Sequence, residues 1–173
     1  DIYYKGYTYK ALPVDVKVTY TLDGKEIKPE DLAGKSGKLT VRYDYTNNDK
    51  KTVKINGKKT DIYVPYLMAT TAILDTNVYS NVEVTNGKLI SDGSRQILIG
   101  VAMPGLTKSL DLQDNEDIEI PEYVEFTADV KDFESTTALT VATSDIFSKL
   151  DLSDIGDADD LQDKLDELSD ATD

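Results

Sequence analysis

Alternation of apolar and polar residues with a period of two constrains the fold of this chain more than any other feature. It is clearest in residues 14–22, 38–46 and 124–131. In the second segment, charged residues or threonines separate the apolar residues Leu39, Val41, Tyr43 and Tyr45. Successive side chains of a β-strand point to opposite faces, so each segment predicts a strand with one buried and one solvated face. Antiparallel sheets give this pattern, whereas parallel strands are buried on both faces.

Turn residues separate these strands from further apolar stretches. Asp23-Gly24, Asn56-Gly57 and Asn86-Gly87 predict two-residue hairpin turns, because these residues adopt positive φ at low cost. Weaker strands are predicted at 2–9, 52–55, 60–74, 82–85, 88–91, 95–102 and 137–143. About ten short strands without interleaved helices predict an all-β fold, an antiparallel β-sandwich, with an open barrel as the alternative. The pattern leaves the strand order open.

Segment 62–74 differs from the other strands because it is apolar on both faces and contains Pro65. Proline cannot donate a hydrogen bond to a neighbouring strand. The segment therefore predicts a central strand that is entered through a bulge or bend.

The character of the chain changes after Thr143. Residues 144–173 contain 11 acidic residues and 2 lysines, a net charge of −9, whereas residues 1–143 contain 22 acidic and 17 basic residues, a net charge of −5. A 3-4-3-4 spacing relates Ala158, Leu161, Leu165, Leu168 and Thr172. This spacing predicts a short acidic amphipathic helix. We therefore divide the chain into a β-sandwich domain, 1–143, and an acidic tail, 144–173.

The apolar stripe of this predicted helix has two interpretations. The helix packs on its own domain, or Leu161, Leu165 and Leu168 form the seam of a coiled-coil stalk through which the chain self-associates. Two heptads do not distinguish these interpretations, because a coiled coil is recognised from sustained repeats.

The residue inventory excludes most catalytic chemistry. The chain has no His and no Cys, which excludes Ser-His-Asp and Cys-His nucleophiles and the usual zinc, copper and haem sites. A pair of carboxylates can hydrolyse glycosides, but with 33 acidic residues some pair always lies close together. We therefore expect a non-enzymatic protein, with a carboxylate-based glycan hydrolase as a remote alternative.

Charge also limits the partners. The net charge of −14 argues against nucleic acid, which requires clustered Lys and Arg, and against direct contact with anionic lipid. No apolar run approaches the roughly 18 residues of a membrane helix, and no signal peptide is visible. The chain begins at Asp1 rather than Met, which suggests a fragment or a processed product.

Two groups of residues are candidates for binding. We expect no cofactor, and calcium is the one ligand ion that we consider. A weak calcium site would use the acidic cluster Asp111, Asp114, Glu116, Asp117 and Glu119. A solvated acidic loop explains the same cluster. An aromatic patch would use Tyr3, Tyr4, Tyr7 and Tyr9. Strand propensity explains the same tyrosines and is the favoured interpretation.

Four stretches of the chain resemble one family. They are LPVDVKVTYTLDGKEIKPEDLAGKSGKLTVRYDYTNN (12–48), DIYVPYLMATTAILD (61–75), NVEVTNGKLISDGSRQILIGVAMPGL (81–106) and IPEYVEFTADVKDF (120–133). They resemble the extracellular N-terminal domain of membrane-anchored surface proteins of Gram-positive gut bacteria. These proteins carry Leu-x-x-Gly heptad repeats and are similar in layout to the phage infection protein group. The Leu-x-x-Gly repeats themselves are absent from this sequence.

The resemblance implies an exported β domain, a helical stalk and a membrane anchor outside this sequence, and it transfers no site residues. Together with the missing catalytic inventory, it predicts an extracellular binding or adhesion domain at the cell surface, with an unidentified protein or glycan as ligand. The alternative is a structural spacer or assembly domain of a membrane-anchored surface protein.

Overall fold

The computed structural model describes residues 11–144, except residues 56, 111 and 113–119. This part of the chain is mostly β and forms eleven strands with almost no helix. The strands are β1 Val14–Leu22, β2 Lys25–Glu26, β3 Gly37–Asn47, β4 Lys50–Ile55, β5 Lys58–Tyr63, β6 Leu67–Asp75, β7 Tyr79–Thr85, β8 Gly87–Ser91, β9 Arg95–Ala102, β10 Tyr123–Val130 and β11 Ala138–Thr143. Helical structure in these residues is limited to a 3-10 helix, Pro29–Asp31, and the four-residue helix α1, Leu106–Ser109.

The strands form three antiparallel sheets. The first has five strands in the order β2-β1-β3-β10-β7, and the second has four strands in the order β11-β6-β9-β8. Strands β4 and β5 form a separate two-stranded ribbon. The predicted all-β, antiparallel and sandwich-like character of the fold is confirmed. The strand order, which the sequence left open, pairs β3 with β10 across 83 residues of chain.

The core lies between the two larger sheets. Alternate residues of β3 and β10 are buried on one face, among them Leu39, Val41 and Phe126. Met68 and Leu98 pack into the same cluster from β6 and β9. The predicted alternation of these strands is confirmed, because the apolar face of each one enters the shared core.

The two sheets approach each other closely where β9 crosses β10. A Cβ atom added to Gly100 would lie 2.2 Å from Cγ1 of Val124, which is fully buried. Glycine therefore allows a contact that any side chain at position 100 would block. Close-packed interiors leave no free space for an added methyl group.

Asn86-Gly87 does not form the predicted hairpin turn. Strand β7 pairs with β10 in the five-stranded sheet, whereas β8 pairs with β9 in the four-stranded sheet. A two-residue turn of the predicted type needs positive φ at both residues, and here only Asn86 has it, with φ 59°. Asn86-Gly87 is instead the corner at which the chain crosses between sheets. The turn at Asp23-Gly24 is confirmed, since it joins the paired strands β1 and β2.

Two other expectations change in detail. The predicted strand 60–74 is two strands, β5 and β6, separated at Pro65, and β6 has an interior position between β11 and β9. The inward face of β1 was expected to be buried, but Val16 and Val18 are exposed. Strand β1 lies towards one side of its sheet, and the core cluster is built mainly on β3 and β10.

The outer face of the four-stranded sheet is apolar although solvent reaches it. Odd-numbered residues of β6, β9 and β11 point outward, because Met68, Leu98 and Thr70 on the alternate positions are buried. Five outward side chains are more than one third exposed, and we call them the apolar face: Ile73, Ile90, Val101, Leu139 and Val141. Single exposed aliphatic residues are ordinary on a protein surface, whereas large contiguous apolar patches are uncommon on monomeric proteins.

Candidate functional site

A polar groove lies at the end of the five-stranded sheet, with a volume of about 640 Å³. This volume is typical of ligand sites, which span roughly 300–1,000 Å³. We call it the Arg42 groove, and its main polar residues are Arg42, Asp44, Thr46, Lys108, Glu122 and Tyr123. They come from β3, from α1 and from the stretch that leads into β10.

The register of β3 and β10 builds the centre of the groove. Arg42 pairs directly with Glu125, and Asp44 pairs directly with Tyr123. All four side chains lie on the outward face, so Arg42 and Tyr123 are diagonal neighbours within reach of each other. The guanidinium carbon of Arg42 lies 3.6 Å from the centre of the Tyr123 ring. This distance is that of a cation–π contact.

Arg42 is held on three sides. Its Nε donates to Oδ1 of Asp44 at 2.8 Å, and Nη1 lies 3.5 Å from Oε2 of Glu125. The hydrogen bond that Arg42 donates to Asp44 is the main reason that the pKa of Arg42 is raised above its ordinary value. The guanidinium therefore stays charged and fixed in place over the Tyr123 ring, a rigid arrangement that lowers the entropic cost of binding a ligand.

The far wall of the groove is fixed by the buried side chain of Asn47. Its Nδ2 donates to the carbonyl oxygen of Pro104 at 3.0 Å and to that of Val64 at 2.8 Å. Ser109 Oγ accepts a hydrogen bond from the backbone nitrogen of Tyr63 at 2.9 Å. These bonds hold α1 beside the ends of β3 and β5, which places Lys108 at the groove.

The residues entering β10 complete the site. The backbone nitrogen of Gly105 donates to Oε1 of Glu122 at 3.2 Å, and Asn86 Nδ2 donates to the carbonyl oxygen of Tyr123 at 2.9 Å. The corner at Asn86 therefore supports the same strand end that presents Tyr123. Both bonds restrain the backbone beneath the groove.

The structure does not describe the site residues expected from the sequence. The tyrosine patch Tyr3, Tyr4, Tyr7 and Tyr9, the acidic cluster Asp111, Asp114, Glu116, Asp117 and Glu119, and the helix seam Leu161, Leu165 and Leu168 all fall outside the described residues. They stay predictions. In the part of the chain that is described, no three acidic side chains are grouped so that they would hold a metal ion.

The sequence predicted which faces of the strands carry the residues of the Arg42 groove, but not which strands are adjacent. The alternation placed Arg42, Asp44 and Glu125 on the solvated faces of two predicted strands. It did not show that these strands are neighbours, and Tyr123 lies just before the predicted strand 124–131. Tyr43 and Tyr45, which the alternation placed on the apolar face of their strand, are buried.

Comparisons with known proteins give no match. No protein-family model matches the chain, and neither a curated protein nor a solved structure is similar to it. Neither short helix in the described part of the chain has the length or apolar character that a membrane-spanning helix requires.

Proposed function

We propose that this chain is a non-enzymatic binding or adhesion domain and that the Arg42 groove is its ligand site. The observation that carries the proposal is a guanidinium fixed between two carboxylates and an aromatic ring at the wall of a groove of ligand size. Binding sites combine a few fixed polar groups with aromatic surface, and Arg and Tyr are enriched in them.

A neutral ligand rich in hydroxyl groups, such as a glycan, suits the groove better than a charged one. Among the described residues, the charged side chains that line it are two cations, Arg42 and Lys108, and two anions, Asp44 and Glu122, with Glu125 behind Arg42. The groove therefore presents cations and carboxylates side by side rather than a single sign of charge. Hydroxyl groups both donate and accept hydrogen bonds, so they can use cations and carboxylates together.

Binding is favoured over hydrolysis because donors of the protein already engage the carboxylates of the groove. Asp44 accepts a hydrogen bond from Arg42, and Glu122 accepts one from the backbone of Gly105. A glycosidase instead needs two carboxylates that are directed at one glycosidic bond. The carboxylate hydrolase stays a remote alternative, and release of reducing sugar from cell-wall or dietary glycans would establish it.

The binding proposal is tested by titrating the isotope-labelled chain with neutral oligosaccharides and peptidoglycan fragments while recording amide NMR spectra. We expect shifts concentrated at residues 42–46 and 120–125. Arg42→Gln should weaken binding by roughly tenfold or more, because it removes the stacked cation and its fork of donors. The matched control is Lys54→Gln on the β4–β5 ribbon, which removes the same charge and should leave affinity unchanged. Shifts that avoid the groove, or no shifts with any fragment, would refute the proposal.

We further propose that the domain is extracellular and belongs to a cell-surface protein anchored in the membrane through other parts of its chain. The support is the resemblance of residues 12–48, 61–75, 81–106 and 120–133 to the heptad-repeat surface proteins of Gram-positive bacteria. Protease treatment of intact producing cells should remove the protein from the surface. Recovery of the protein in the cytoplasm after fractionation would contradict this location.

A spacer or assembly domain is the second candidate function. The apolar face favours it, because contiguous exposed aliphatic side chains are typical of contact surfaces. It predicts that the full chain forms oligomers and binds no glycan. Light scattering that shows only monomers would remove the assembly version of this candidate.

A further inference from the structure

The apolar face belongs to a sheet whose sequence is typical of burial on both faces. Strands β6 and β9 are apolar on both faces, as in LMATTAILD and RQILIGVA. Strands with this pattern are normally buried on both faces. The core covers the inner face, whereas on the outer face Ile73 and Ile90 are each 46% exposed and Leu139 is 58% exposed. The sheet therefore lacks a covering layer among the described residues.

The register shows that these side chains are contiguous. Ile73, Ile97 and Ile90 form one row across β6, β9 and β8. In the next row Leu139 lies opposite Thr71, which lies opposite Ile99. Thr140 points inward, because its hydroxyl bonds the buried Thr70, so the alternating residues Leu139 and Val141 point outward. The apolar face therefore extends over all four strands of the sheet.

We propose that residues 157–172 of the same molecule cover the apolar face as an amphipathic helix. The stripe of Ala158, Leu161, Leu165 and Leu168 is spaced to lie along one side of such a helix. A helix of this length spans about 24 Å, at about 1.5 Å per residue. Four strands spaced by about 4.8 Å extend about 14 Å between the outer two, so the helix reaches across the whole sheet.

The point at which the chain leaves the sheet favours residues 157–172 of the same molecule over a second copy or a separate partner. Strand β11, at the edge of the four-stranded sheet, ends at Thr143, and its own Leu139 and Val141 are part of the apolar face. Residues 145–156 then provide a linker of up to about 40 Å, which is more than the sheet requires. A tethered segment is present at a high effective concentration, so it competes well against a second copy or a separate partner.

Charge supports the same docking. Residues 144–173 carry a net charge of −9. The outward positions of β8 and β9 include Lys88 and Arg95, with Asp75 opposite Arg95. The outward strand positions therefore carry two cations and one anion, on a chain whose net charge is −14. Complementary charge around an apolar contact orients the two surfaces.

Paramagnetic labelling of the full chain tests the proposal. The chain has no cysteine, so Asp163→Cys provides a single labelling site on the polar side of the predicted helix. A spin label there should strongly broaden the methyl NMR signals of Ile73, Ile90, Val101 and Leu139. Val53 on the β4–β5 ribbon should keep its intensity. Absence of selective broadening on the apolar face would overturn the proposal.

Two paired substitutions show whether the apolar contact itself is responsible. In the labelled chain, Leu165→Ser should abolish the broadening, whereas Asp166→Ser on the polar side should preserve it. On the sheet, Ile73→Thr should weaken the broadening of its neighbours, whereas Val18→Thr, at an exposed valine of the other sheet, should not. Equal effects within either pair would contradict docking through the apolar stripe.

Mixing separates the same molecule from a second copy. Isotope-labelled chain without a spin label is combined with unlabelled chain that carries it. If signals broaden only when the isotope label and the spin label are on the same chain, and not in this mixture, the tail docks within one molecule. Equal broadening in the mixture would overturn it and assign the apolar face to an interface between two copies, as the assembly function requires.

Discussion

Tyr43 illustrates how one buried side chain links the core to pH. It lies on the inner face of β3 and is 6% exposed, and burial raises its pKa to about 12. The ordinary tyrosine pKa of about 10 describes the unfolded chain. The folded state therefore favours the neutral phenol. Its contribution to stability is fully present below pH 10 and is lost as the pH rises towards 12. Tyr79 behaves in the same direction, for the same reason.

We therefore expect the free energy of unfolding to fall steeply above pH 10. Tyr43→Phe should reduce this slope by on the order of 1 kcal/mol per pH unit between pH 10 and 12, because its ring cannot ionise. Urea unfolding at a series of pH values measures the slope. The control is Val41→Ala, a neighbouring core substitution that should lower stability by a similar amount at every pH. A slope unchanged in Tyr43→Phe would show that Tyr43 does not govern the alkaline transition.

Side-chain hydrogen bonds, rather than strand pairing, join the end of β3 to the neighbouring elements. Asn47, the last residue of β3, bonds the carbonyl oxygens of Val64 and Pro104, and its own Oδ1 accepts from the backbone of Asp49. It therefore ties β3 to the entry of β6 and to the loop before α1. Buried polar groups that lose their partners cost more free energy than an exposed hydrogen bond contributes.

Asn47→Ala should lower the free energy of unfolding by about 2–3 kcal/mol, since it leaves buried backbone carbonyl groups without this donor. The neighbouring Asn48 is exposed and bonds Asp15 at the surface. Asn48→Ala should therefore change stability by no more than about 0.5 kcal/mol. Urea denaturation compares the two variants. Similar losses of free energy of unfolding in the two variants would mean that the buried amide of Asn47 does not hold the loop before α1.

At the scale of the whole molecule, the acidic tail 144–173 differs in charge from residues 1–143, and the proposed docking would make the apolar face depend on it. Shortening the chain after Ser144 removes a net charge of −9 and, if residues 157–172 cover the sheet, uncovers the apolar face. Large exposed apolar patches promote association, and a net charge far from zero opposes it.

The shortened chain should therefore self-associate and bind a hydrophobic dye at concentrations at which the full chain remains monomeric. Light scattering and dye fluorescence measure the two effects. In the shortened chain, the double substitution Ile73→Thr and Leu139→Thr should restore the monomer, because both side chains are on the apolar face and threonine is compatible with a strand. Monomeric behaviour of the shortened chain without these substitutions would contradict the covering role of the tail.

The sequence by itself determined the strands at 14–22, 38–46 and 124–131, because period-two alternation reports local geometry and one-sided burial. It also limited the chemistry, since a chain without His or Cys lacks the usual nucleophile–base pairs. Only the tertiary structure decided which strands are neighbours. Pairing of β3 with β10 brings Arg42 to Tyr123, and passage between sheets at Asn86 makes a corner from a sequence typical of a hairpin. The physical reason is that alternation fixes which face of a strand is buried, whereas strand order follows from long-range packing such as the contact of Gly100 with Val124.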